Sequence, residues 1–239
     1  GAYTKWDEKK YQPGNDPLLV EDCNGRLAGI PQIVVQPQVK GFTHRFDPAD
    51  VEAIRSSELD VIFRFGFNII RGDILTAAKY GVWSFHHGDN DWYRGGPPHF
   101  WEMVERHPVS GVLLQVLSNE LDAGLVLCKA NVATSPSVSV TLNRVKPYWV
   151  GSLLAIRKLY ELHRYGWDYL VAHAVPNRPA PGRDKIYRLP DNGQMIRFLA
   201  PQIAKRTVQK ILNPQPVMHW KMALRTDPAK FLSTCKTPD

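Results

Sequence analysis

The fold is decided by the stretch WSFHHGDNDWYRGGPP, residues 83–98. Its first residues continue a short apolar run from Gly81, which is typical of a buried strand. Two histidines end that run, and a loop rich in Gly, Asp and Asn follows them. Reactive side chains that leave the end of a strand and enter a shaped loop are typical of α/β active sites. We therefore expect His86 to mark the functional site of an α/β fold.

Apolar runs before this stretch predict the rest of the sheet. The predicted strands, short and rich in β-branched or aromatic residues, are 30–35, 59–67 and 82–85. Between the first two, Asp47 and Pro48 predict a helix start, as N-cap and first helical residue, with Val51 on the apolar face. A short helix is expected at 72–78. Alternating strands and helices predict a parallel sheet, with ligands at the carboxyl ends of its strands.

The second half of the chain predicts a hairpin and helices. Apolar runs at 111–117 and 124–132 are close enough in sequence to pair as an antiparallel hairpin appended to the sheet. A long helix is expected from about 134 to 166, where Pro147 would kink it or split it in two. A further helix is predicted at 193–213, interrupted before Pro201, and a strand at 217–224.

Composition places the chain among ordinary globular proteins. It has 239 residues, 44% hydrophobic and 22% charged, and no apolar run of the roughly 18 residues that a membrane helix needs. A net charge of +7 favours anionic partners, and the scattering of the basic residues argues against nucleic acid. The three cysteines have no metal-like spacing, which favours a reduced, cytoplasmic setting.

Four motifs occur in a fixed order along the chain: LDVIFRFGF at 59–67, Ser84-Phe85-His86, Arg94-Gly95, and Leu121-Asp122-Ala123-Gly124. Together they resemble the formyltransferase family, which includes methionyl-tRNA, glycinamide ribonucleotide and sugar N-formyltransferases. The resemblance covers roughly residues 28–160. This sequence departs from the family at Ser84, where the family has Asn. The resemblance implies a Rossmann-like formyltransferase domain.

The resemblance also implies a reaction and its catalytic residues. The expected activity is transfer of a formyl group from 10-formyltetrahydrofolate, as co-substrate, to an amine of an anionic acceptor such as an amino sugar or nucleotide. His86 would be the central imidazole and Asp122 its partner. Ser84 would donate to the developing oxyanion, directly or through a water, or His87 would take over that role. The alternative is that Ser84 has no role in catalysis, in which case the site is degenerate and lacks this donor.

Binding residues follow from the same resemblance. Phe67, Asn68, Ile69 and Ile70, together with Leu121, correspond to the folate side, where backbone groups read the ring and apolar side chains wall it. The corner formed by Tyr93, Arg94 and Gly95 would line the acceptor side, with Arg94 holding an anionic group. Arg94 could instead secure the loop through backbone carbonyls.

A metal site is the rival interpretation of the same stretch. His86, His87, Asp89, Asp91 and His99 could satisfy Zn or Fe by composition. Their spacing matches no recognised metal motif, and adjacent histidines on a strand point to opposite faces. The sequence therefore predicts no metal.

The expected organisation is an N-terminal segment (1–29), a formyltransferase-like catalytic domain (30–175), and a linker with a helical or irregular C-terminal extension (176–239). By resemblance, the first strands of the domain are absent, so the chain is expected to be a piece of a longer parent. The absent strand would leave an unpaired sheet edge. We expect this edge to be covered by another copy of the chain, which would give a homo-oligomer, by another chain, or by residues 1–29. Acceptor binding is expected to be impaired.

Two alternatives to formyl transfer remain open. One is hydrolysis of 10-formyltetrahydrofolate, with water replacing the amine. The other is a catalytically silent binding or scaffold domain, which Ser84 favours. A hydrogen-bonded His86–Asp122 pair beside an open pocket would support an enzyme, whereas a filled pocket would support the scaffold.

Overall fold

A computed structural model describes residues 1–119 and 124–212 of the chain. These residues belong to two compact units, one from Gly1 to Met195 and one from Ile196 onward. The helices are α1 (Ala2–Lys10), α2 (Asn24–Leu27), α3 (Pro48–Arg55), α4 (Trp101–Val104), α5 (Val140–Tyr165), α6 (Trp167–Ala172) and α7 (Asn192–Leu212), with a 3-10 helix at Asp73–Thr76. The strands are β1 (Gln38–Lys40), β2 (Thr43–Arg45), β3 (Ile62–Phe63), β4 (Ile69–Arg71), β5 (Val82–His86), β6 (Arg94–Gly95), β7 (Val109–Val116), β8 (Leu125–Ala133), β9 (Val175–Pro176) and β10 (Ile186–Tyr187).

The main sheet has five strands in the order β3-β5-β7-β8-β9. Strands β3 and β5 are parallel, whereas β7, β8 and β9 each pair antiparallel with the strand before them in that order. The α/β class is confirmed, as is the hairpin of β7 and β8. Within the main sheet, the prediction of a parallel arrangement holds for β3 and β5 alone, because the chain between β5 and β7 holds only the two-residue β6 and the four-residue α4 and no long crossover helix. Outside the main sheet, β2 pairs parallel with β4.

One hydrophobic core cluster lies where this sheet meets α5 and α6, and a second one contains Val82 of β5 and Val51 of α3. Trp83, Val112 and Leu114 are fully buried and pack with Leu154 of α5 and Leu170 of α6. Gly151 of α5 allows this close approach, since a Cβ there would lie 3.0 Å from Cγ2 of Val112. The face of β5 that carries Ser84 and His86 is the opposite one, because side chains alternate along a strand.

Local signals fix the starts of the predicted helices. The Asp47 side chain accepts a hydrogen bond from the Ala49 amide at 3.0 Å, and Pro48 is the first residue of α3. The Ser139 hydroxyl accepts from the Leu142 amide at 3.1 Å and begins α5. Helix α5 is a single element of 26 residues that is not split at Pro147. Helix α7 likewise continues through Pro201.

Two strand predictions are corrected. Residues 30–35 form no strand: no strand in the described part of the chain pairs with them, and Val34 is 86% exposed. A β-branched run becomes a strand only where another strand offers hydrogen-bond partners. The strand predicted at 59–67 shortens to β3, because the chain turns away after Phe63 and Gly66 adopts a φ of +73°. The strand predicted at 217–224 lies outside the described residues.

The N-terminal segment packs against the start of α5. The buried Asp7 carboxylate accepts hydrogen bonds from the Thr141 amide and hydroxyl, both at 2.9 Å. In the described ranges β3 ends the main sheet, and no strand from residues 1–29 pairs with it. What covers that edge, and the predicted homo-oligomer, stay predictions.

The segment predicted as a linker contributes to the first compact unit. Strand β10 pairs parallel with β6, and Tyr187 and Asn177 are buried. A Cβ on Gly95 would lie 2.2 Å from the Tyr187 carbonyl oxygen, so only glycine permits this pairing. The domain boundaries at 29 and 175 stay predictions.

Candidate active site

A cleft of about 190 Å³ opens at the carboxyl end of β5, beside His86. Its described lining residues are Arg64, Asn68, Ile69, Ile70, Arg71, Phe85, His86, Gln115, Leu117, Ser118, Asn119 and Gly124. They combine apolar walls with two arginines, and none of them is acidic. Such a cleft suits a ligand with a flat apolar body and negatively charged or carbonyl oxygens.

His86 is held beneath a turn of the following loop. A Cβ on Gly88 would lie 3.3 Å from Nε2 of His86 and 2.8 Å from the Tyr93 carbonyl oxygen. Glycine at 88 therefore lets the loop cross the imidazole closely. Further along, a Cβ on Gly111 would lie 2.8 Å from backbone atoms of Asp89, so the loop also rests directly on β7.

Asp122 and Leu121 lie outside the described residues. The predicted pairing of His86 with Asp122, and the folate-side role of Leu121, therefore stay predictions. Asn119 and Gly124, the described residues that flank this gap, both line the cleft. Asn119 also positions the cleft wall, because its Oδ1 accepts a hydrogen bond from the Gly72 amide at 2.9 Å.

Ser84 is fully buried and bonded to a residue that the motif analysis did not single out. Its hydroxyl accepts hydrogen bonds from Nε and Nη2 of Arg64, at 2.9 and 2.7 Å. The same hydroxyl donates to the Phe85 carbonyl at 3.1 Å. The proton that Ser84 would give to an oxyanion is thus already engaged, and Ser84 is not among the residues that line the cleft.

Arg64 itself lines the cleft. The signal that points to it in the sequence is a charge inside the apolar run VIFRFGF, at the carboxyl end of a strand. A charged side chain in such a run is rarely buried without a partner or a function. Burial lowers the pKa of Arg64 from its usual value.

His87 faces away from the cleft. Its ring stacks on Tyr148 of α5 with centroids 3.8 Å apart and an interplanar angle of 4°. Burial, with smaller contributions from His86 and Arg64, lowers the pKa of His87 to about 4. His87 is therefore a neutral packing residue on the opposite face, as the alternation of side chains along a strand requires.

The predicted folate-side residues divide between cleft and core. Asn68, Ile69 and Ile70 line the cleft. Phe67 packs its ring against His44 and Phe46 instead. The carbonyl oxygens of Phe67 and Asn68 each accept a hydrogen bond of 2.6 Å from Nη1 of Arg64, so one acceptor position of each is already occupied.

The predicted acceptor-side residues line a second, smaller cavity. Tyr93, Arg94 and Gly95 border a space of about 10 Å³, and none of them lines the larger cleft. Nη2 of Arg94 lies 3.3 Å from Oδ1 of the buried Asn177. The Tyr93 hydroxyl donates to Glu105 at 3.0 Å. The structure therefore keeps this corner apart from the cleft that holds His86.

The acidic residues of the loop are paired with a lysine. Nζ of Lys129 lies 2.5 Å from Oδ1 of Asp89 and 2.6 Å from Oδ2 of Asp91. In residues 1–119 and 124–212, no group of three or more His, Cys, Asp and Glu side chains is arranged to hold a metal ion. Lys129 supplies the positive charge that a metal ion between these two carboxylates would otherwise supply.

A buried pair of titratable groups, His99 and Glu102, lines the smaller cavity. Nδ1 of His99 is 3.8 Å from Oε1 of Glu102, and both side chains are almost fully buried. Burial lowers the pKa of His99 to about 3 and raises that of Glu102 to about 7. Both shifts favour the uncharged forms, so the contact is not a strong ion pair.

Comparison with known proteins finds similar structures that include formyltransferases. No protein-family model matches the sequence. HypX from Aquifex aeolicus is 19% identical, over 62% of this chain and 27% of HypX, with a TM-score of 0.45. The formyltransferase PseJ from Anoxybacillus kamchatkensis is 21% identical, over 57% of this chain and 68% of PseJ, with a TM-score of 0.40. An N-formyltransferase from Helicobacter canadensis is 13% identical, over 52% of this chain and 44% of its own, with a TM-score of 0.37.

The matched region is a small part of HypX, since this chain spans 27% of its length. The PseJ structure contains UDP-4,6-dideoxy-4-formamido-L-AltNAc and tetrahydrofolate, and the Helicobacter structure contains folinic acid and dTDP-3-aminofucose. Separately, no helix within the described ranges has the length and apolar character needed to cross a membrane.

Proposed function

We propose that this chain carries the formyl-donor side of a formyltransferase, which moves a formyl group from 10-formyltetrahydrofolate to an amine of an amino sugar or nucleotide. The observation that carries the proposal is the open, apolar-walled cleft beside His86, at the carboxyl end of the strand that bears the Ser-x-His motif. The order of the motifs supports the same reaction. The cleft is open rather than filled by side chains, which favours an enzyme over a scaffold.

The co-substrate fits this cleft in part. About 190 Å³ is smaller than the roughly 300–1,000 Å³ of common ligand pockets. Under this proposal the cleft takes the ring end of the folate, between Ile69, Ile70 and Leu117. Arg64 and Arg71 supply positive charge at its rim, which suits carbonyl and carboxylate oxygens.

His86 has the chemistry that formyl transfer needs. The attacking amine becomes positively charged when its nitrogen bonds to the formyl carbon, so a nearby base accelerates the step by taking its proton. The His86 imidazole is that base in our proposal, and Asp122 orients it. The same imidazole then returns the proton to the departing nitrogen of tetrahydrofolate.

The test combines binding and turnover. Titration calorimetry with 5-formyltetrahydrofolate should show binding to the full chain, and 10-formyltetrahydrofolate with a panel of amino-sugar nucleotides should yield tetrahydrofolate. We expect His86→Ala to lower kcat by about 100-fold or more while folate binding persists. The matched control is His163→Ala, which removes an exposed histidine on α5 and should leave both measurements unchanged.

Three results would count against this function. Absence of folate binding would contradict the assignment of the cleft as the binding site of the folate co-substrate. Binding without turnover by any amine or by water would favour the scaffold. Release of tetrahydrofolate at equal rates with and without amines would assign hydrolysis instead.

A further inference from the structure

Arg64 joins the motif residue Ser84 to the cleft. Its Nε and Nη2 atoms both donate hydrogen bonds to the same acceptor, the hydroxyl oxygen of Ser84. Its Nη1 atom donates twice, to the carbonyl oxygens of Phe67 and Asn68. Three oxygen atoms therefore hold the guanidinium group in place. The Arg64 side chain has already lost its rotamer freedom in the unliganded protein, so a ligand that binds to it does not have to order it.

Counted over residues 1–119 and 124–212, this bonding leaves one N–H donor of Arg64 for a ligand. A guanidinium group has five N–H donors. One bond from Nε, one from Nη2 and two from Nη1 use four of them. The fifth is the second hydrogen of Nη2, and Arg64 lines the same cleft as His86.

Ser84 cannot supply that donor. Its single hydroxyl hydrogen is directed to the Phe85 carbonyl, and its oxygen is covered by Arg64. The position where the family carries an Asn amide thus presents no free N–H or O–H of its own. A guanidinium group anchored on that position restores a donor, and it adds a full positive charge that burial does not remove, since arginine stays protonated.

We propose that Arg64 is the catalytic oxyanion donor of this site and that Ser84 is its positioning residue. This inference rests on the proposed function. When the amine nitrogen bonds to the formyl carbon, the electron pair of the C=O double bond moves to oxygen, where the Nη2–H of Arg64 stabilises the charge. His86 takes the amine proton. The C=O bond re-forms as the bond to the folate nitrogen breaks, and that nitrogen receives the proton from His86.

A purely structural role is the competing explanation. Arg64 bridges β5 and the 65–68 loop, so its loss could simply loosen the folate-side wall. A structural clamp would raise KM and weaken folate binding while leaving kcat near the wild-type value. An oxyanion donor acts mainly in the transition state, so its loss lowers kcat by roughly 100- to 1,000-fold.

The experiment measures kcat, KM and 5-formyltetrahydrofolate affinity for Arg64→Ala, Ser84→Ala and the double variant. Millimolar guanidinium chloride, well below denaturing concentrations, is then added to Arg64→Ala. We expect kcat to fall by about 100-fold or more and to recover partly with guanidinium. Ser84→Ala should cost less, and the double variant should equal Arg64→Ala, because the two residues act as one unit. Arg55→Ala is the charge-matched control, since Arg55 is an exposed arginine on α3.

The outcomes separate this inference from the proposed function. Wild-type turnover with an unchanged kcat in Arg64→Ala would overturn the inference and leave the function standing. A lowered kcat that does not respond to guanidinium, with additive losses in the double variant, would also overturn the inference, because Arg64 and Ser84 would then not act as one donor unit. A wild-type chain without any turnover would remove the proposed function and this inference together.

Discussion

Gly95 and Tyr187 lie in such close contact that a Cβ on Gly95 would be 2.2 Å from the Tyr187 carbonyl oxygen. The two residues are partners in the parallel pair of β6 and β10, and Gly95 adopts a φ of +91°. A loop that follows the candidate active site is thereby held by a segment more than ninety positions later in the sequence. This contact makes the C-terminal part of the first unit a support of the site.

The first prediction concerns this contact. Gly95→Ala should lower the free energy of unfolding, because the new methyl group overlaps the Tyr187 carbonyl and the positive φ disfavours alanine. Gly182→Ala is the control: its φ is +75° and a Cβ there would meet nothing within 4 Å. Gly182→Ala should cost about 1–2 kcal/mol for the backbone conformation alone. Gly95→Ala should cost about 1–3 kcal/mol more, measured by urea unfolding. Equal losses in the two variants would contradict the close contact.

The second prediction concerns Lys129. Lys129→Met should destabilise the chain by about 1–3 kcal/mol, because it leaves the buried Asp89 carboxylate without its cation. Adding Asp89→Asn to that variant should recover part of the loss. As a control, Arg157→Met removes an exposed arginine from Glu161, which keeps Lys158 as its cation, and should cost less than about 1 kcal/mol. The idea is refuted if both lysine and arginine variants unfold at the same urea concentration.

The third prediction concerns acid sensitivity. His87 and His99 have native pKa values of about 4 and about 3, below the ordinary 6.5. The unfolded chain therefore binds two protons that the native chain does not bind as the pH falls from 6.5, and stability is lost in that range. Glu102 opposes this loss of stability, because its native pKa is about 7 against an ordinary 4.5. Between pH 7 and pH 4.5 the native chain therefore binds one proton at Glu102 that the unfolded chain does not bind.

The balance of these three groups predicts a net loss of stability between pH 6.5 and 4.5, by at most about 1.4 kcal/mol per pH unit. His87→Phe keeps the stacking on Tyr148 and cannot be protonated, so it should flatten the slope in this range. Urea unfolding of both proteins at half-unit pH steps gives the two slopes. A variant whose slope equals that of the wild type would show that His87 is not the group responsible.

The fourth prediction concerns Asn177. Its Oδ1 accepts from Nδ2 of Asn90 at 2.8 Å, and its Nδ2 donates to Oε1 of Gln115 at 2.6 Å. Asn177→Ala should therefore cost on the order of 2 kcal/mol, because it leaves buried amide groups unpaired. In a double-mutant cycle with Asn90→Ala, the double variant should lose less stability than the sum of the two single losses, since the two side chains share one hydrogen bond. Strict additivity would place the two residues in separate networks.

Local signals in the sequence predicted several elements well. Asp47 and Pro48 mark the start of α3 through a contact made within two residues, so their effect does not depend on the rest of the fold. The long helix was predicted from about 134, whereas α5 begins after its cap at Ser139. The apolar runs of β5, β7 and β8 were predicted as strands, and Val82, Trp83 and Leu113 in them are fully buried. The position of His86 at a strand end follows from the same run.

Other outcomes depended on partners far away in the chain. Residues 30–35 have strand-forming side chains, and yet none of the described strands pairs with them. The pairing of Arg64 with Ser84 spans 20 positions, and that of Asn90 with Asn177 spans 87. No periodicity or motif spacing encodes such contacts, because they arise only when separate elements are packed together.

By itself, the sequence determined the α/β class, the hairpin, the main helix and the strand that delivers His86, because these follow from apolar patterning and local capping. The tertiary structure alone decided that His87 faces α5, that Tyr93, Arg94 and Gly95 border a separate cavity, and that the Ser84 hydroxyl is occupied by Arg64. These depend on which surfaces meet after the chain has collapsed, and each is settled by long-range packing and the need to pair buried polar groups.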